Sequence, residues 1–316
     1  MTNQRVLITG GAGCLGANII DRYGENGNQY LVIDNFATSD RAVLEGFSKS
    51  IQVIEGSVYD RELVDSAFDK FRPTHVVHSA ASYKDPDNWQ EDANTNIDGT
   101  INVAKASIRH DVRRFINFQT SLCYGIPNET PIPITHPVQP FSSYGISKAA
   151  GEQYLLMSGL PVVSLRLANV TGPRLSIGPI PTFYTRLKAG KGCFCSDSVR
   201  DFLDMSDFFS LFDLVLQDDA PTGVFNVSTG KGNTIKDVFD EVVKYLGITL
   251  KTEVPIIPVG ADDTPIMVLD ATVTEKTFNW KAKVDFEQTI KKMLQWYDVN
   301  GVATVYSHVK KPEGQE

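Results

Sequence analysis

Two residues of one short segment, Tyr144 and Lys148, are of types that could move a proton together. They are four positions apart, so on a helix they share one face. An ammonium group beside a phenol stabilises the phenolate and lowers the phenol pKa, which is about 10 in water. Tyr144 could therefore act as a base near neutral pH. Such a pair is common by chance, and taken alone it equally fits two solvated side chains on a helix.

A glycine-rich segment near the start of the sequence has the composition of a phosphate-binding loop. Its three glycines follow a short apolar run: Gly10, Gly13 and Gly16. The first allows a tight turn, the second lets the backbone approach a pyrophosphate, and the third lets a helix pack against the strand. The helix that begins at Cys14 and Leu15 presents N–H groups and the positive end of its dipole to the phosphates. We therefore predict that a dinucleotide binds at this loop.

An aspartate at the end of the next predicted strand indicates which dinucleotide binds. Asp34, followed by Asn35, ends an apolar run that begins at Tyr30. A carboxylate there accepts hydrogen bonds from an adenosine ribose and repels a 2′-phosphate, which favours NAD over NADP. We include both Asp34 and Asn35 in the predicted cofactor site. An ordinary glycine turn beside a surface aspartate is the less favoured alternative, because loop and carboxylate occur at the expected spacing.

These residues lie in an alternation of strand and helix patterns that fills the first half of the sequence. Six runs rich in β-branched residues are predicted as buried strands: Val6–Thr9, Tyr30–Asp34, Ile51–Glu55, His75–His78, Arg114–Gln119 and Pro161–Leu167. The segments between them have room for crossover helices: Cys14–Tyr23, Asp60–Phe71 and Ala93–Arg109. The alternation predicts an α/β fold with a Rossmann-like, doubly wound parallel sheet.

The second half has a different pattern and is predicted to form a smaller mixed α/β domain. Capping residues and apolar periodicity indicate amphipathic helices at about residues 234–246 and 285–294. We divide the chain into an NAD-binding domain at residues 1–168 and a substrate-binding domain at residues 169–316. A stretch at about residues 204–229 is expected to return to the first domain.

The composition argues against several other classes of protein. Lys+Arg number 30 and Asp+Glu number 38, and the net charge of −8 gives no attraction to nucleic acid or to anionic membranes. The sequence has no apolar run as long as a spanning helix requires and no secretory pattern at its start. Four cysteines make no disulfide framework, and Cys193 and Cys195 lack companion metal ligands. We predict a cytoplasmic protein with no metal and with neither nucleic-acid nor membrane partners.

Segments from Val6 to Tyr297 resemble, in order, those of the extended short-chain dehydrogenase/reductase superfamily. The glycine spacing and the Tyr144–Lys148 pair are of its type. The other matching segments are His78-Ser79-Ala80-Ala81, Asn96-Ile97-Asp98-Gly99-Thr100, Arg166 to Arg174, Arg200-Asp201-Phe202-Leu203, Phe225 to Gly230 and Phe278-Asn279-Trp280. Within the superfamily the sequence resembles the NAD-dependent nucleotide-sugar epimerase/dehydratase family. It is most similar to 4-epimerases of bacterial O-antigen gene clusters, through residues 81–87 and 193–197.

The resemblance implies roles for residues that spacing alone does not single out. Thr120, in the segment that ends at Gly125, takes the place of a catalytic serine or threonine that hydrogen-bonds the reacting sugar oxygen. The further cofactor contacts that it implies are Ser57, Val58, Ala80, Ala81 and Asn96. The implied substrate contacts are Tyr83, Lys84, Thr120, Asn169, Arg174 and Arg200. For Lys84 and its acidic neighbours, a solvated loop is an equally good interpretation. The family usually has an aspartate at the position of Ser57.

The reaction that the resemblance implies is inversion of C4 in a nucleotide-linked sugar. Tyr144 removes the C4 hydroxyl proton while the C4 hydride passes to NAD, and the hydride returns to the opposite face of the 4-keto sugar. UDP is the expected nucleotide. Family members usually form homodimers by pairing two helices per subunit. Here these helices are Ala93–Arg109 and Tyr144–Met157.

Departures from the family pattern argue against one related reaction, 4,6-dehydration, and leave other functions as alternatives. Sugar 4,6-dehydratases carry Asp-Glu where this sequence has Ser121-Leu122, and leucine cannot do acid–base work. Cys123 is expected to be a buried structural thiol rather than an acid or base. Relatives have a diphosphate-binding arginine at the position of Val259. The positive charge that binds the diphosphate would then have to come from Arg200, with Arg174 or Lys188 as further candidates. A sugar oxidoreductase or decarboxylase using the same 4-keto chemistry, and a non-catalytic NAD-sensing protein, are the alternatives.

Overall fold

The computed structural model describes residues 4–45, 47, 51–83, 85–260 and 263–303. Lys84, a predicted substrate contact, lies outside these residues, and so does the end of the chain after residue 303. The described residues fall into two compact units. The first comprises those within 1–123, 143–166 and 214–224, and the second those within 124–142, 167–213 and 225–316.

The strands are numbered in chain order. They are β1 (Arg5–Thr9), β2 (Gln29–Asp34), β3 (Ile51–Glu55), β4 (His75–His78), β5 (Arg114–Thr120), β6 (Val162–Leu167), β7 (Asn169–Thr171), β8 (Cys195–Ser196), β9 (Val199–Arg200), β10 (Phe202–Asp204), β11 (Gly223–Val227), β12 (Asn233–Thr234), β13 (Ile256–Ile257) and β14 (Ile266–Met267).

The helices are α1 (Cys14–Tyr23), α2 (Arg61–Phe71), α3 (Trp89–Asp92), α4 (Thr100–Arg109), α5 (Ser143–Met157), α6 (Pro179–Lys188), α7 (Met205–Val215), α8 (Ile235–Leu246), α9 (Thr272–Phe278) and α10 (Phe286–Asn300). Short 3₁₀ helices span Arg41–Leu44 and Ser121–Tyr124. A π-helical segment, Ala93–Gly99, joins α3 to α4. The single helix predicted for Ala93–Arg109 is therefore wrong in its first two turns, which have the wider π geometry often found at functional sites.

A seven-stranded sheet has the order β11-β6-β5-β4-β1-β2-β3. Strand β1 pairs in parallel with β2 and β4, and β3 and β5 extend the sheet in parallel on either side. Its inner strands are continuous apolar runs because helices cover both faces of such a sheet. The predicted α/β, Rossmann-like fold with a mixed second part is confirmed.

The core of the first unit lies between this sheet and its helices. Its buried side chains come mainly from the strands and from helices α2, α4 and α5, and they include Leu7, Leu31, Val76, Phe115, Phe68, Val103 and Leu155. The order of the strands brings the carboxyl ends of β1, β4 and β5 to one edge, where such folds bind their ligands. The phosphate loop follows β1, and His78 and Thr120 are the last residues of β4 and β5.

The second unit packs helices α6, α8 and α10 around a separate apolar cluster. This cluster includes Ile180, Phe183, Phe239, Ile290 and Leu294. Both helices predicted from capping patterns are confirmed. Thr234 and Asp237 form a reciprocal capping box at the start of α8, and Asp285 accepts the Gln288 N–H at the start of α10. Within the described residues, no helix is long and apolar enough to cross a membrane.

Candidate active site

The glycine loop has the backbone geometry that a dinucleotide requires. Gly10 has a φ of +65°, and a Cβ there would lie 2.7 Å from the Ala80 backbone. A Cβ at Gly16 would lie 2.5 Å from Gly11 Cα, so the start of α1 meets the turn closely only because Gly16 has no side chain. Gly13 is the N-cap of α1, and no side chain caps the helix there. These features leave the N-terminal end of α1 suited to a phosphate.

Asp34 fixes this loop against the end of β2. Its Oδ2 accepts a hydrogen bond from the Ala12 N–H at 2.8 Å, and its Oδ1 accepts one from the Phe36 N–H at 2.8 Å. Oδ1 also accepts a longer hydrogen bond from Ser39 Oγ at 3.5 Å, so Oδ2 is the oxygen with a second lone pair that a ribose hydroxyl could use. Asn35 is exposed, and its Oδ1 accepts from the Ala37 N–H at 3.1 Å. The arrangement fits the predicted NAD site.

The predicted adenine side of the site contains an unpaired hydroxyl. Ser57 Oγ is buried and has no hydrogen-bond partner among the described residues. Val58 is buried beside it and packs against Gly99 of the π-helical segment. Because a buried hydroxyl without a partner costs free energy, Ser57 is suited to pair with a polar group of a bound nucleotide. The half-buried Ala80 lies across from Gly10, and Ala81 is likewise half-buried.

Strand β5 and helix α5 carry the residues that could move a proton. Thr120 ends β5, and its Oγ1 accepts from the Leu122 N–H at 3.2 Å. Gln119 links the two elements: its Nε2 donates to the Lys148 carbonyl at 2.8 Å, and its Oε1 accepts from the Thr120 N–H at 2.8 Å. Gln119 was not predicted from the sequence, although a buried polar residue next to Thr120 was a usable signal. The ring of Tyr144 lies 5.7 Å from that of Tyr83 between centroids.

Lys148 lies in a buried environment that changes its ionisation. Its side chain is 4% exposed, so the interpretation of Tyr144 and Lys148 as a solvated surface pair is wrong for the lysine. Burial lowers the pKa of Lys148 to about 8, while the negative charge of Glu152 opposes that fall. An amine with a pKa near 8 is still mostly protonated at neutral pH. It can therefore stabilise a phenolate on Tyr144.

His78 forms a buried hydrogen-bonded link beneath the loop. Its Nδ1 is 2.8 Å from Thr9 Oγ1, its Nε2 is 2.9 Å from Thr100 Oγ1, and the Thr100 hydroxyl donates to the Asn96 carbonyl at 2.7 Å. Burial, with a smaller contribution from the Lys148 charge, lowers the pKa of His78 to about 3. The ring is therefore neutral, and these contacts indicate a proton on Nε2.

The side-chain amide of Asn96 is hydrogen-bonded to other residues of the protein. Oδ1 accepts from the Ser82 N–H at 2.9 Å, and Nδ2 donates to the Ser82 carbonyl and to Ser147 Oγ, each at 3.0 Å. The side chain is 1% exposed. It connects the segment before Tyr83 to the middle of helix α5. Asn96 therefore holds together two parts of the chain that carry predicted site residues.

The positions after Thr120 agree with the expectations from the sequence. Cys123 is fully buried, and burial raises the pKa of its thiol to about 12. The thiol is therefore neutral, and Cys123 is buried as expected. Leu122 has no proton to exchange. Neither residue can replace the acid pair of a sugar 4,6-dehydratase.

The second unit carries the remaining predicted substrate residues. Asn169 on β7 donates from Nδ2 to the Asp201 carbonyl at 3.0 Å, and Arg174 has a left-handed φ of +65°. Arg200 on β9 donates from Nη2 to Asp263 Oδ1 at 2.6 Å, and burial lowers its pKa. Lys188 is half-exposed and lies 3.4 Å from Asp298, so it has a carboxylate partner of its own.

Two further polar groups near Arg200 were not predicted. Asp201 is fully buried and accepts hydrogen bonds from Thr229 and Gly230; burial raises its pKa to about 6 against the effect of these bonds. Thr264, next to Asp263, has a buried hydroxyl without a partner among the described residues. No group of three or more metal-binding side chains occurs in the part of the chain that the structure describes.

Comparison with known proteins identifies the family. The model of the NAD-dependent epimerase/dehydratase family matches residues 6–228. The chain belongs to this family. The crystal structure of the Bordetella bronchiseptica enzyme WbmG with NAD and UDP is 62% identical, covers 98% of this chain and 100% of that chain, and superposes with a TM-score of 0.93.

More distant members of the family give a consistent result. The UDP-glucose 4-epimerase of Thermotoga maritima, solved with UDP-glucose, is 29% identical and has a TM-score of 0.85 over 93% of this chain and 99% of that chain. A putative UDP-glucose 4-epimerase of Methanocaldococcus jannaschii is 26% identical over 312 residues, 93% of this chain and 99% of that protein. The resemblance stated from the sequence motifs is thereby confirmed.

Proposed function

We propose that this protein is an NAD-dependent nucleotide-sugar 4-epimerase whose substrate is a UDP-linked sugar. The observation that carries the proposal is the buried Lys148, one helical turn after Tyr144, on the same unit as the glycine loop and Asp34. Similarity to proteins named as UDP-glucose 4-epimerases, and to an enzyme crystallised with NAD and UDP, supports the reaction and the ligands.

We assign NAD to the loop at the carboxyl edge of the sheet. The pyrophosphate would be held at the start of α1 by the backbone of Gly10, Gly13, Cys14, Leu15 and Gly16. Asp34 binds the adenosine ribose, with Asn35 beside it, and Ser57 and Val58 border the adenine. Ala80 and Ala81 line the cofactor, and Asn96 acts by holding Ser82 and Ser147 in place. Bound NAD supplies a reversible acceptor for the C4 hydride.

The protein side chains transfer the C4 hydroxyl proton and hold the sugar in position. Tyr144, as phenolate, takes the proton from the C4 hydroxyl as the hydride leaves, and it returns that proton after the hydride adds to the other face. Lys148 stabilises the phenolate by its charge. Thr120 donates a hydrogen bond to the reacting oxygen, and Tyr83 lies against the Tyr144 ring and borders the sugar. The protein thus needs no acid at Leu122.

We assign NAD binding to residues 1–168 and substrate binding to residues 169–316, with residues at about 204–229 belonging with the first part. Arg200 binds the diphosphate of the nucleotide, Arg174 adds charge, and Asn169 contacts the nucleotide-sugar. The carboxylate partner of Lys188 makes it a weaker candidate for the diphosphate. Lys84 is retained as a proposed sugar contact.

We further propose a homodimer built on helices α4 and α5. Apolar side chains on these helices are exposed in the single chain: Ile108, Ile146, Tyr154 and Met157. Burying them in a partner would remove apolar surface from water. Sedimentation equilibrium of the wild type and of Tyr154→Lys tests this. A monomeric wild type would contradict it. The cytoplasmic location stays a prediction.

An NMR time course in deuterated water tests the reaction. Purified protein is incubated with UDP-glucose, UDP-N-acetylglucosamine and UDP-glucuronate, and with CDP-, dTDP- and GDP-glucose as nucleotide controls. Formation of a C4 epimer from a UDP-sugar, without solvent deuterium in the product, supports the proposal. Deuterium at C5, a deoxy-keto product, or net accumulation of NADH would instead indicate elimination or a net oxidation.

A further inference from the structure

Helix α5 carries a second ionisable side chain that the proposed reaction does not use. Glu152 follows Lys148 by four positions, so the two side chains share one helix face. Both are buried, Lys148 at 4% and Glu152 at 1% exposure. Buried charges cost free energy unless partners compensate them. Two buried ionisable side chains on one helix face are therefore expected to serve a function.

Strand β6 holds the Glu152 carboxylate in a fixed position. Its Oε2 accepts from Arg166 Nη2 at 2.6 Å, and its Oε1 accepts from Arg166 Nε at 3.3 Å. Ser164 Oγ donates to Oε1 at 2.6 Å and itself accepts from Asn117 Nδ2 at 2.9 Å. Two of these three hydrogen bonds come from the Arg166 guanidinium, so the buried carboxylate has a buried cation as its direct partner.

Two other titratable groups of the same unit, His78 and Cys123, are neutral and do not supply this negative charge. On β4, His78 is neutral, because burial lowers its pKa to about 3. After β5, Cys123 is a neutral thiol, because burial raises its pKa to about 12. On α3, Asp92 is hydrogen-bonded to Ser143 at the start of α5, and burial raises its pKa. Glu152 is the group whose charge opposes the loss of the Lys148 proton.

We propose that Glu152 is a positioning residue for the active site: on the same helix face, its anchored carboxylate keeps the Lys148 ammonium charged, one turn after Tyr144. The relevance of this to catalysis rests on the proposed function, in which Lys148 assists Tyr144. Arg166 and Ser164 act on Lys148 only indirectly, by fixing the Glu152 carboxylate with hydrogen bonds. Burial alone would leave Lys148 with fewer protons near neutral pH, and the phenolate of Tyr144 would lose its cationic neighbour.

The test removes the carboxylate without leaving a buried guanidinium unpaired. Glu152→Gln alone would isolate Arg166, so Glu152→Gln is combined with Arg166→Met, because exchanging a whole buried pair is often tolerated. Glu152→Leu/Arg166→Leu is a second version with apolar side chains. Ser164→Ala is the matched control, since it removes a hydrogen bond at the same place and keeps both charges.

The readout is the pKa of Lys148 in the full chain with NAD bound. Lysine side chains labelled with ¹³C at Cε are followed by NMR from pH 6 to pH 11, and the Lys148 signal is identified by its loss in Lys148→Arg. We expect the wild-type signal to titrate below the ordinary lysine pKa of 10.5. In both double variants the midpoint should fall by about one pH unit, a tenfold lower proton affinity. In Ser164→Ala it should not move.

Other outcomes overturn the inference. An unchanged Lys148 midpoint in a folded double variant would show that Glu152 does not act on the lysine. An equal fall in Ser164→Ala would assign the effect to packing rather than to charge. Failure of the proposed function is separately visible, because it would appear as a wild-type protein that converts none of the UDP-sugars while the Lys148 midpoint still responds to Glu152.

Discussion

Replacing Lys148 by methionine is expected to stabilise the fold at neutral pH while it abolishes turnover. The lysine is buried, and burial lowers its pKa from 10.5 to about 8. Methionine has a similar length and flexibility and carries no charge. The hydrogen bond from Gln119 to the Lys148 carbonyl involves the backbone and is retained. A charge required for chemistry would thus be held at the expense of stability.

The magnitude follows from the linkage between protonation and folding. Each unit of pKa corresponds to about 1.36 kcal/mol, so a fall from 10.5 to about 8 represents about 3 kcal/mol. Because the folded-state pKa is the lower one, the unfolded chain binds more protons between about pH 8 and 10.5, and stability rises with pH across this window. The cost is fully present below pH 8 and disappears above about pH 10.5. Lys148→Met should remove it.

Urea unfolding of the nucleotide-free protein at pH 7 and at pH 10 measures this effect. Lys148→Met should unfold with a free energy up to about 3 kcal/mol higher than the wild type at pH 7, and with a much smaller gain at pH 10. Lys105→Met, at an exposed lysine of α4, controls for the change of residue type. A Lys148→Met protein less stable than the wild type at pH 7, or a gain that is equal at both pH values, would refute the reasoning.

Four further substitutions separate binding from chemistry. Tyr144→Phe should bind NAD normally in a fluorescence titration and lose turnover by at least about 100-fold, because the phenol proton is gone; full turnover would require another base. Gly10→Ala should lose NAD binding, because its φ is +65° and a Cβ would lie 2.7 Å from backbone atoms; wild-type affinity would contradict the loop geometry. Asp34→Ala should weaken NAD binding about tenfold or more, with Glu25→Ala, at an exposed acidic residue, close to wild type; equal losses would place the ribose elsewhere. Arg200→Met should raise KM for the UDP-sugar and leave NAD affinity unchanged; an unchanged KM would assign the diphosphate to other residues.

The sheet and the loop could be predicted because local sequence determines them. The strands at Ile51–Glu55 and His75–His78 were predicted with their observed bounds, since short β-branched runs between turn residues have few alternatives. The loop at Gly10 depends on one strand, one turn and one helix that adjoin in sequence. Such local features are visible without a structure.

Contacts between distant segments could not be predicted in the same way. The Glu152–Arg166 pair depends on how helix α5 lies against β6, and the Arg200–Asp263 pair joins residues that are far apart in sequence. The π-helical geometry of Ala93–Gly99 leaves an ordinary helical pattern in the sequence, so one continuous helix was expected. These details follow from tertiary packing rather than from residue type or spacing.

The fate of a deuterium label at C4 tests the proposed reaction most directly. UDP-glucose carrying deuterium at C4 is incubated with the protein in ordinary water, and the product is examined by NMR. Transfer of the hydride to tightly held NAD and its return within the same site predict a C4 epimer that retains the label at C4. Loss of the label to solvent from an epimerised product, or its appearance at another carbon, would contradict the transient 4-keto route through Tyr144 and Lys148.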